Sequence, residues 1–338
     1  MRVVVIGGTR FIGRRIVEEL VARGDEVTVL HRGETEPDDL VRCDHIHVAR
    51  KDFSTVAARV RAAAPDAVVD TLAMSRADTQ AVLPYLPDTR IVLLSSVDVY
   101  RAFGHVLNDR EGEPVPITED SPVRDERYPY RETGGRPDDY DKLDVEPAYL
   151  ERGAAVLRLA MIYGEHDPQR REEFILRRVR AGRPRVPVGP GSWLWTRCYV
   201  GDVAAAVLAA VGNPRAAGEV FNVGEPAVRT IRGWAEEILA AAGHEAELVT
   251  VPETGLPEDM WITKTVAQPL LVSADKAAEV LGWRAVHAAE GLRRSVRWHL
   301  ANPPATAGPD GTADDLTADD DFTADDTALA AAMRGRSG

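Results

Sequence analysis

An α/β fold built on a doubly wound parallel sheet is predicted by three features of the sequence. A short β-branched run, Arg2–Ile6, leads directly into the glycine-rich turn Gly7-Gly8-Thr9-Arg10-Phe11-Ile12-Gly13. Ile12, Ile16, Val17, Leu20 and Val21 then recur at helical spacing, Gly24 ends that helix, and 27–30 (VTVL) is the next strand. Finally, the alternation of strand and helix continues for well over a hundred residues, the signature of βαβ units on a parallel sheet.

The remaining elements follow in order. Strands are expected at 45–48, 67–70 and 91–94, with helices at 53–64 and 77–86 between them. The stretch 104–138 is rich in Pro, Gly and charged residues and has no period; a connection this long in a compact domain is usually functional. A helix near 141–152 and a strand at 155–160 resume the pattern. Residues 1–164 thus form a Rossmann-type domain, with ligands expected beyond the carboxyl ends of its strands. Residues 165–300 read as a smaller, mainly helical substrate domain, with helices near 170–181, 202–212, 230–242 and 273–281, and with Val220–Val223 added to the sheet edge. Residues 301–338 read as a disordered acidic tail. From 305 onward it carries eight Asp against two Arg, and it repeats TADD at Thr312, Thr317 and Thr323. A polar, acidic segment buries too little to offset its ordering entropy, so its deletion is expected to leave the melting temperature unchanged.

Composition narrows the function. The chain has 338 residues and a net charge of -13, which disfavours nucleic acid and anionic membranes as partners. No apolar run reaches the roughly 18–20 residues that span a bilayer, and no signal peptide precedes the first strand, so a cytoplasmic protein is expected. The two cysteines, Cys43 and Cys198, cannot form a disulfide framework. Cys43, His45 and His47 alternate along one strand face, as metal ligands can. The sequence puts no further acid or histidine beside them, and no metal is expected.

The glycine-rich turn carries the clearest chemistry. Between strand and helix, Gly7 allows a tight turn, Gly13 a close helix–sheet contact, and the helix N-terminus offers free N–H groups to a pyrophosphate. Gly7, Gly8, Thr9, Arg10, Phe11, Ile12 and Gly13 are therefore candidate cofactor residues. After the next strand, where an acid would hold the ribose of NAD, the chain has His31-Arg32. Arg32 can take a 2′-phosphate as a bidentate fork, with Arg10 helping, or it is a solvated loop residue. NADP(H) is favoured, with NAD(H) as the alternative.

GGTRFIG at 7–13, LLSSVDVY at 93–100, LRLAMIYG at 157–164, GDVAAAV at 201–207 and FNVG at 221–224 occur in order and at suitable spacing. Together they resemble the extended short-chain dehydrogenase/reductase family, the NAD(P)-dependent epimerases and dehydratases, over roughly residues 1–300. In particular they resemble an atypical branch that reads GGTRF. The resemblance implies an oxidoreductase or isomerase that moves a hydride at a hydroxyl or keto carbon of a sugar-like or other hydroxylated small molecule. Oligomeric state is left open, a homodimer being one option. Ser96 matches the family's catalytic Ser/Thr. Asp98 stands where sugar dehydratases have an acid; it is either an acid/base or a cap on the following turn. Lys142 and Glu146 fit KxxxE, with Lys142 expected on the nicotinamide ribose, and Ala73 joins the cofactor set.

The family's tyrosine position is Asp138, whereas Tyr140 lies two residues before Lys142. On a helix those two side chains would be about 200° apart. Either Tyr140 sits in a non-helical lead-in and swings inward, or tyrosine is not the acid/base; Tyr140 is the favoured candidate and Asp98 the runner-up. Trp193, Trp195, Arg197 and Tyr199 alternate on one extended face. The resemblance brings this region to the substrate, with Arg197 and Tyr199 as binding candidates and the tryptophans as core. The same branch resembles, in plants, chloroplast stem-loop RNA-binding proteins on this fold, so a non-catalytic cofactor- or RNA-binding protein is the rival reading.

Overall fold

A computed structural model describes residues 1–133, 136–304 and 321–335. They divide into two compact units: Met1–Ile162 with Thr196–Pro226 and Leu270–Ala288, and Tyr163–Trp195 with Ala227–Pro269 and Ala289–Gly338.

The first unit holds the expected parallel sheet. Its strands are β1 (Arg2–Ile6), β2 (Glu26–His31), β3 (Asp44–His47), β4 (Ala67–Asp70), β5 (Arg90–Ser96) and β6 (Ala155–Leu159), joined by Val220–Val223. The spatial order is Val220–Val223, β6, β5, β4, β1, β2, β3, all parallel. Strand order therefore reverses direction between β1 and β4, the point at which doubly wound sheets bind ligands. β4 and β6 are buried along their whole length, which accounts for their lack of polar alternation, with only Asp70 and the Glu146-paired Arg158 as charged members: a strand covered on both faces has no solvent side to alternate with. Val4, Ile6, Leu30, Phe53, Val68, Leu93, Val156 and Tyr149 form part of one buried cluster. Each such aliphatic side chain contributes about 1.5–3 kcal/mol on burial.

Several elements are shorter than the periodicity suggests. The helix expected over 53–64 is a 3₁₀ segment, Arg50–Thr55, and a short helix, Ala57–Ala62; Ser54, Thr55 and Val56 are poor helix formers at the junction. The helix expected over 77–86 runs Arg76–Val82 and then tightens at Leu83–Tyr85, where Pro84 has no N–H to donate. The helix expected over 141–152 is a 3₁₀ turn, Lys142–Asp144, followed by Glu146–Glu151. Pro147 fits only in a first turn, which forces the restart there.

The domain boundary at 164 needs correction. The chain leaves the first unit at Ile162 but returns to it twice. Val200–Gly212 is the crossover helix that carries the chain to the edge strand Val220–Val223, and it packs on the helix Phe11–Ala22.

The second unit combines the helices Glu173–Arg180 and Ile231–Ala242 with a two-stranded parallel sheet, Arg185–Val188 beside Glu247–Thr250. Trp234 is buried against Phe174 and Tyr163, with ring centroids 5.6 and 6.4 Å away. The expectation of a wholly disordered tail is also corrected. Residues 305–320 lie outside the described set, but Thr323–Gly335 is a helix with Asp325, Ala328 and Leu329 buried. Asp325 forms two hydrogen bonds, at 2.6 and 2.8 Å, with the fully buried Arg178, which also pairs with Asp259 at 2.6 and 3.1 Å. The third TADD repeat differs from the others because TALAAAM follows it, supplying helix formers and an apolar face.

Candidate active site

The glycine-rich turn is packed so tightly that side chains are excluded from it. A Cβ on Gly13 would lie 1.8 Å from the Gly7 carbonyl oxygen, and one on Gly8 2.7 Å from Val17. Gly7 has φ +88°, a left-handed conformation natural to glycine. The helix Phe11–Ala22 begins without a side-chain cap and without an acid in its first turn, so its leading N–H groups are available to an anion. Thr9 is buried and hydrogen-bonds Thr35 at 3.0 Å, tying the turn to the loop after β2. This cradle fits a dinucleotide pyrophosphate. Arg10 and Arg32 are exposed, and Arg32 pairs with Glu34 at 2.9 Å. The ring of His31 is engaged away from the turn, with its Nε2 2.9 Å from His45 Nδ1.

The structure resolves the spacing of Tyr140 and Lys142. Helical turns begin only at Lys142, and Asp141 is extended, with φ -161° and ψ 114°. In an extended chain, residues two apart point the same way. Tyr140 and Lys142 are accordingly both buried on one side, with the Lys142 ammonium 6.0 Å from the Tyr140 ring centroid. Asp141 turns the opposite way, to Arg124 at 3.0 Å and Arg127 at 2.9 Å. Burial would raise Asp141, but hydrogen bonds from Arg127 and from the Tyr128 and Leu143 N–H groups hold it below the usual carboxylate range.

Tyr140 donates to Asp98 Oδ2 at 2.8 Å. Burial and the Asp98 carboxylate push its pKa well above the ordinary value, so the hydroxyl stays protonated near neutrality. Tyr130 donates to the same oxygen at 3.2 Å. The other oxygen, Asp98 Oδ1, is buried and has no partner among the described residues. Asp98 also holds the first turn of the 3₁₀ segment Val97–Val99, its N–H donating to Ser96 Oγ at 3.2 Å. The capping group there is Ser96, leaving the Asp98 carboxylate for other use.

Lys142 donates to the Ala73 and Leu94 carbonyls at 2.6 and 2.9 Å. An ammonium has three donors, so one is left for a ligand. Burial lowers Lys142 to about 8, opposed by Asp98 and Asp70. Ala73 takes part through its backbone, beyond the end of β4. The KxxxE pattern is not an ion pair: Glu146 accepts from Ser95 at 2.5 Å and from Arg158 at 2.7 and 3.0 Å.

Tyr130 comes from the long aperiodic connection, and its role has no local sequence signal beyond that length. The Arg136 guanidinium lies 5.3 and 4.8 Å from the ring centroids of Tyr130 and Tyr140. The proposed face 193–199 is not one face. Its strand is only Arg197–Tyr199, in the first unit, with both named residues buried. Trp193 and Trp195 belong to the second unit, stack at 4.7 Å, and Trp193 donates to the Gln268 carbonyl at 2.9 Å, a packing role. Asp202 accepts from the His287 ring at 2.7 Å and from two backbone N–H groups, fixing 286–287.

The view that nothing converges on Cys43, His45 and His47 is overturned. Parallel register places His31 opposite His47, and Glu36 reaches the same point. His31, Glu36, His45 and His47 have ligand atoms all within 4.8 Å of one another.

With this geometry in place, comparison with known proteins is direct. The model of the NAD dependent epimerase/dehydratase family matches residues 3–224, and the chain belongs to that family. It is similar to the chloroplast stem-loop binding protein of 41 kDa b of Arabidopsis thaliana, at 27% identity over 93% of this chain and 83% of that protein. Among solved structures it is similar in fold to the UDP-glucose 4-epimerase of Thermotoga maritima, with TM-score 0.66 and 22% identity over 88% of this chain and 98% of the other. It is likewise similar to the NAD-bound UDP-glucose 4-epimerase of Stenotrophomonas maltophila, with TM-score 0.69 and 19% identity over 89% and 98%. No helix among the described residues is long and apolar enough to cross a membrane.

Proposed function

We propose that this protein is an NAD(P)-dependent oxidoreductase of the epimerase/dehydratase type, acting at a hydroxyl-bearing carbon of a sugar-like small molecule. The observation that carries this reading is the buried hydrogen bond from Tyr140 to Asp98, beside Lys142 and next to Ser96. The glycine cradle and the spare Lys142 donor fit a dinucleotide, held by the 7–13 turn and by Lys142 on a ribose hydroxyl. The bound nicotinamide supplies a hydride acceptor or donor.

The chain's own residues manage the proton. A substrate hydroxyl that binds Tyr140 loses its proton to the phenol oxygen as the phenol proton passes to Asp98 Oδ2. The reverse movement reprotonates a carbonyl. This relay suits a tyrosine whose raised pKa makes a lone phenolate base unfavourable. Ser96 Oγ supplies a further hydrogen bond to the substrate oxygen. Arg197 and Tyr199 are carried as substrate-side residues by the family resemblance.

The test is turnover of UDP-glucose and related hydroxylated metabolites, followed through nicotinamide absorbance and product analysis. Tyr140→Phe should lose about 100-fold or more in kcat; full activity in that variant overturns the relay. Arg32 supports NADP(H) over NAD(H). NADPH should bind more tightly by calorimetry, and Arg32→Ala should remove about 1.5–3 kcal/mol of that preference. The acidic charge weighs against RNA. Purified protein should show dinucleotide absorbance that survives nuclease; absorbance abolished by nuclease would favour the RNA-binding reading.

A further inference from the structure

The sheet edge opposite Val220–Val223 carries a cluster that the oxidoreductase reading does not use. His31 ends β2, and His45 and His47 lie on β3. Parallel pairing puts His31 level with His47 and Val29 level with His45. Period-two alternation brings His45 and His47 to one face. The loop that leaves His31 turns back at Gly33, with φ +83°, and delivers Glu36 onto the three rings. Its carboxylate lies 3.0 Å from His45 Nδ1, 3.5 Å from His47 Nε2 and 3.7 Å from His31 Nε2, and the His31 and His45 nitrogens are 2.9 Å apart.

We propose that His31, Glu36, His45 and His47 form a binding site for a divalent transition cation, with Zn²⁺ as the best match. Metal–ligand bonds of about 2.0–2.1 Å in tetrahedral geometry put donor atoms roughly 3.3 Å apart, and these four separations bracket that value. Three imidazoles and one carboxylate are borderline ligands suited to zinc rather than to magnesium or calcium, which take oxygen sets. Four protein ligands leave no open position, so the ion is structural.

Binding exchanges one set of contacts for another. Without an ion, the Gly33 N–H donates to His31 Nδ1 at 3.2 Å, so the His31 proton resides on Nε2 and points at His45. Coordination through Nε2 moves that proton to Nδ1 and turns the Gly33 peptide away. A glycine accommodates the change readily. The ion thus fixes the loop 32–35, which carries Arg32 and Thr35, to β3. Cys43 lies on the far side of His45, with its Sγ 3.5 Å from His45 Nε2, and is not one of the four converging groups.

The site is tested on the full chain after chelator treatment, by titrating ZnCl₂ alone and following heat and bound metal, with MgCl₂ as control. One equivalent of Zn²⁺ should bind, with no saturable Mg²⁺ binding. Glu36→Gln and His47→Ala, both at solvent-accessible positions, should each weaken Zn²⁺ about 100-fold, while circular dichroism and the metal-free melting temperature stay at parent values. Cys43→Ser should bind as the parent does. Absence of a one-equivalent isotherm, parent-like affinity in both ligand variants, or loss of binding in Cys43→Ser overturns the assignment. None of these readouts depends on cofactor or turnover, so they stand or fall apart from the proposed activity.

Discussion

Asp70 and Asp98 belong to neighbouring strand ends, are both buried, and both accept a tyrosine hydroxyl, yet their surroundings differ in kind. Asp70 is saturated. Arg50 grips it at 2.9 and 2.7 Å, Tyr149 donates at 2.5 Å, and the Leu72 and Ala73 N–H groups donate at 3.0 and 3.1 Å. Burial would raise its pKa, but the Arg50 pairing wins and holds it low. Asp98 receives two neutral tyrosine hydroxyls on one oxygen, and its other oxygen is unpartnered among the described residues. A carboxylate locked by a guanidinium fork and backbone donors organises a strand end. One left with spare acceptor capacity is equipped to receive a proton.

The largest expected effect separates the two. Asp70→Asn breaks the closest ion pair of the half-buried Arg50, leaving it Asp78 at 3.4 Å, and should cost about 3 kcal/mol of stability in urea unfolding. A loss below about 1 kcal/mol would remove Asp70 from its organising role. Asp98→Asn should do the reverse, lowering kcat about 100-fold while urea stability changes little. A stability loss matching that of Asp70→Asn, with kcat intact, would erase the distinction.

The second unit offers a similar contrast between a paired and a solitary acid. Asp325 meets the Arg178 guanidinium, so Asp325→Ala should cost about 1–3 kcal/mol, since Asp259 remains on Arg178. An unchanged melting temperature would mean that the helix Thr323–Gly335 contributes nothing, as the acidic composition alone suggests. Glu172 is fully buried, accepting from Ser295 Oγ at 2.6 Å with the His299 ring 3.9 Å away, and burial pushes it up to about 8. Its folded pKa exceeds the ordinary 4.5, so the folded state binds the extra proton between those values. The stability it confers is full below pH about 4.5 and is lost as pH rises through about 8. Glu172→Gln should flatten that decline, read as melting temperature against pH. A parent-like slope would show that other groups set it.

The sheet was legible because β1, β4 and β5 contain apolar runs that two-sided burial explains, and because the glycine turn marks where the first crossover begins. Ser96 and Lys142 were legible through ordered motifs. Tyr140 was ambiguous, since its direction depends on where helical turns begin, and that is decided by the extended Asp141 and by Pro147 rather than by periodicity. Tyr130 sits in a connection without a period. The convergence of His31 with His45 and His47 depends on register between strands, which side-chain alternation within one strand does not reveal. The docking of Asp325 was obscured by the acidic repeat, although the small apolar residues after it carried the signal.

The pairing of Arg178 with Asp325 spans 147 residues. On a ribosome adding about 5–20 residues per second, Arg178 is added roughly 7–30 s before Asp325. Asp259 joins it part-way through that interval, but the second carboxylate of the pair, and with it the unit's last packing step, waits for the acidic helix to be synthesised. Maturation of this unit is therefore timed by translation of the segment that completes it, and any factor that guards the growing chain has a defined window in which to act.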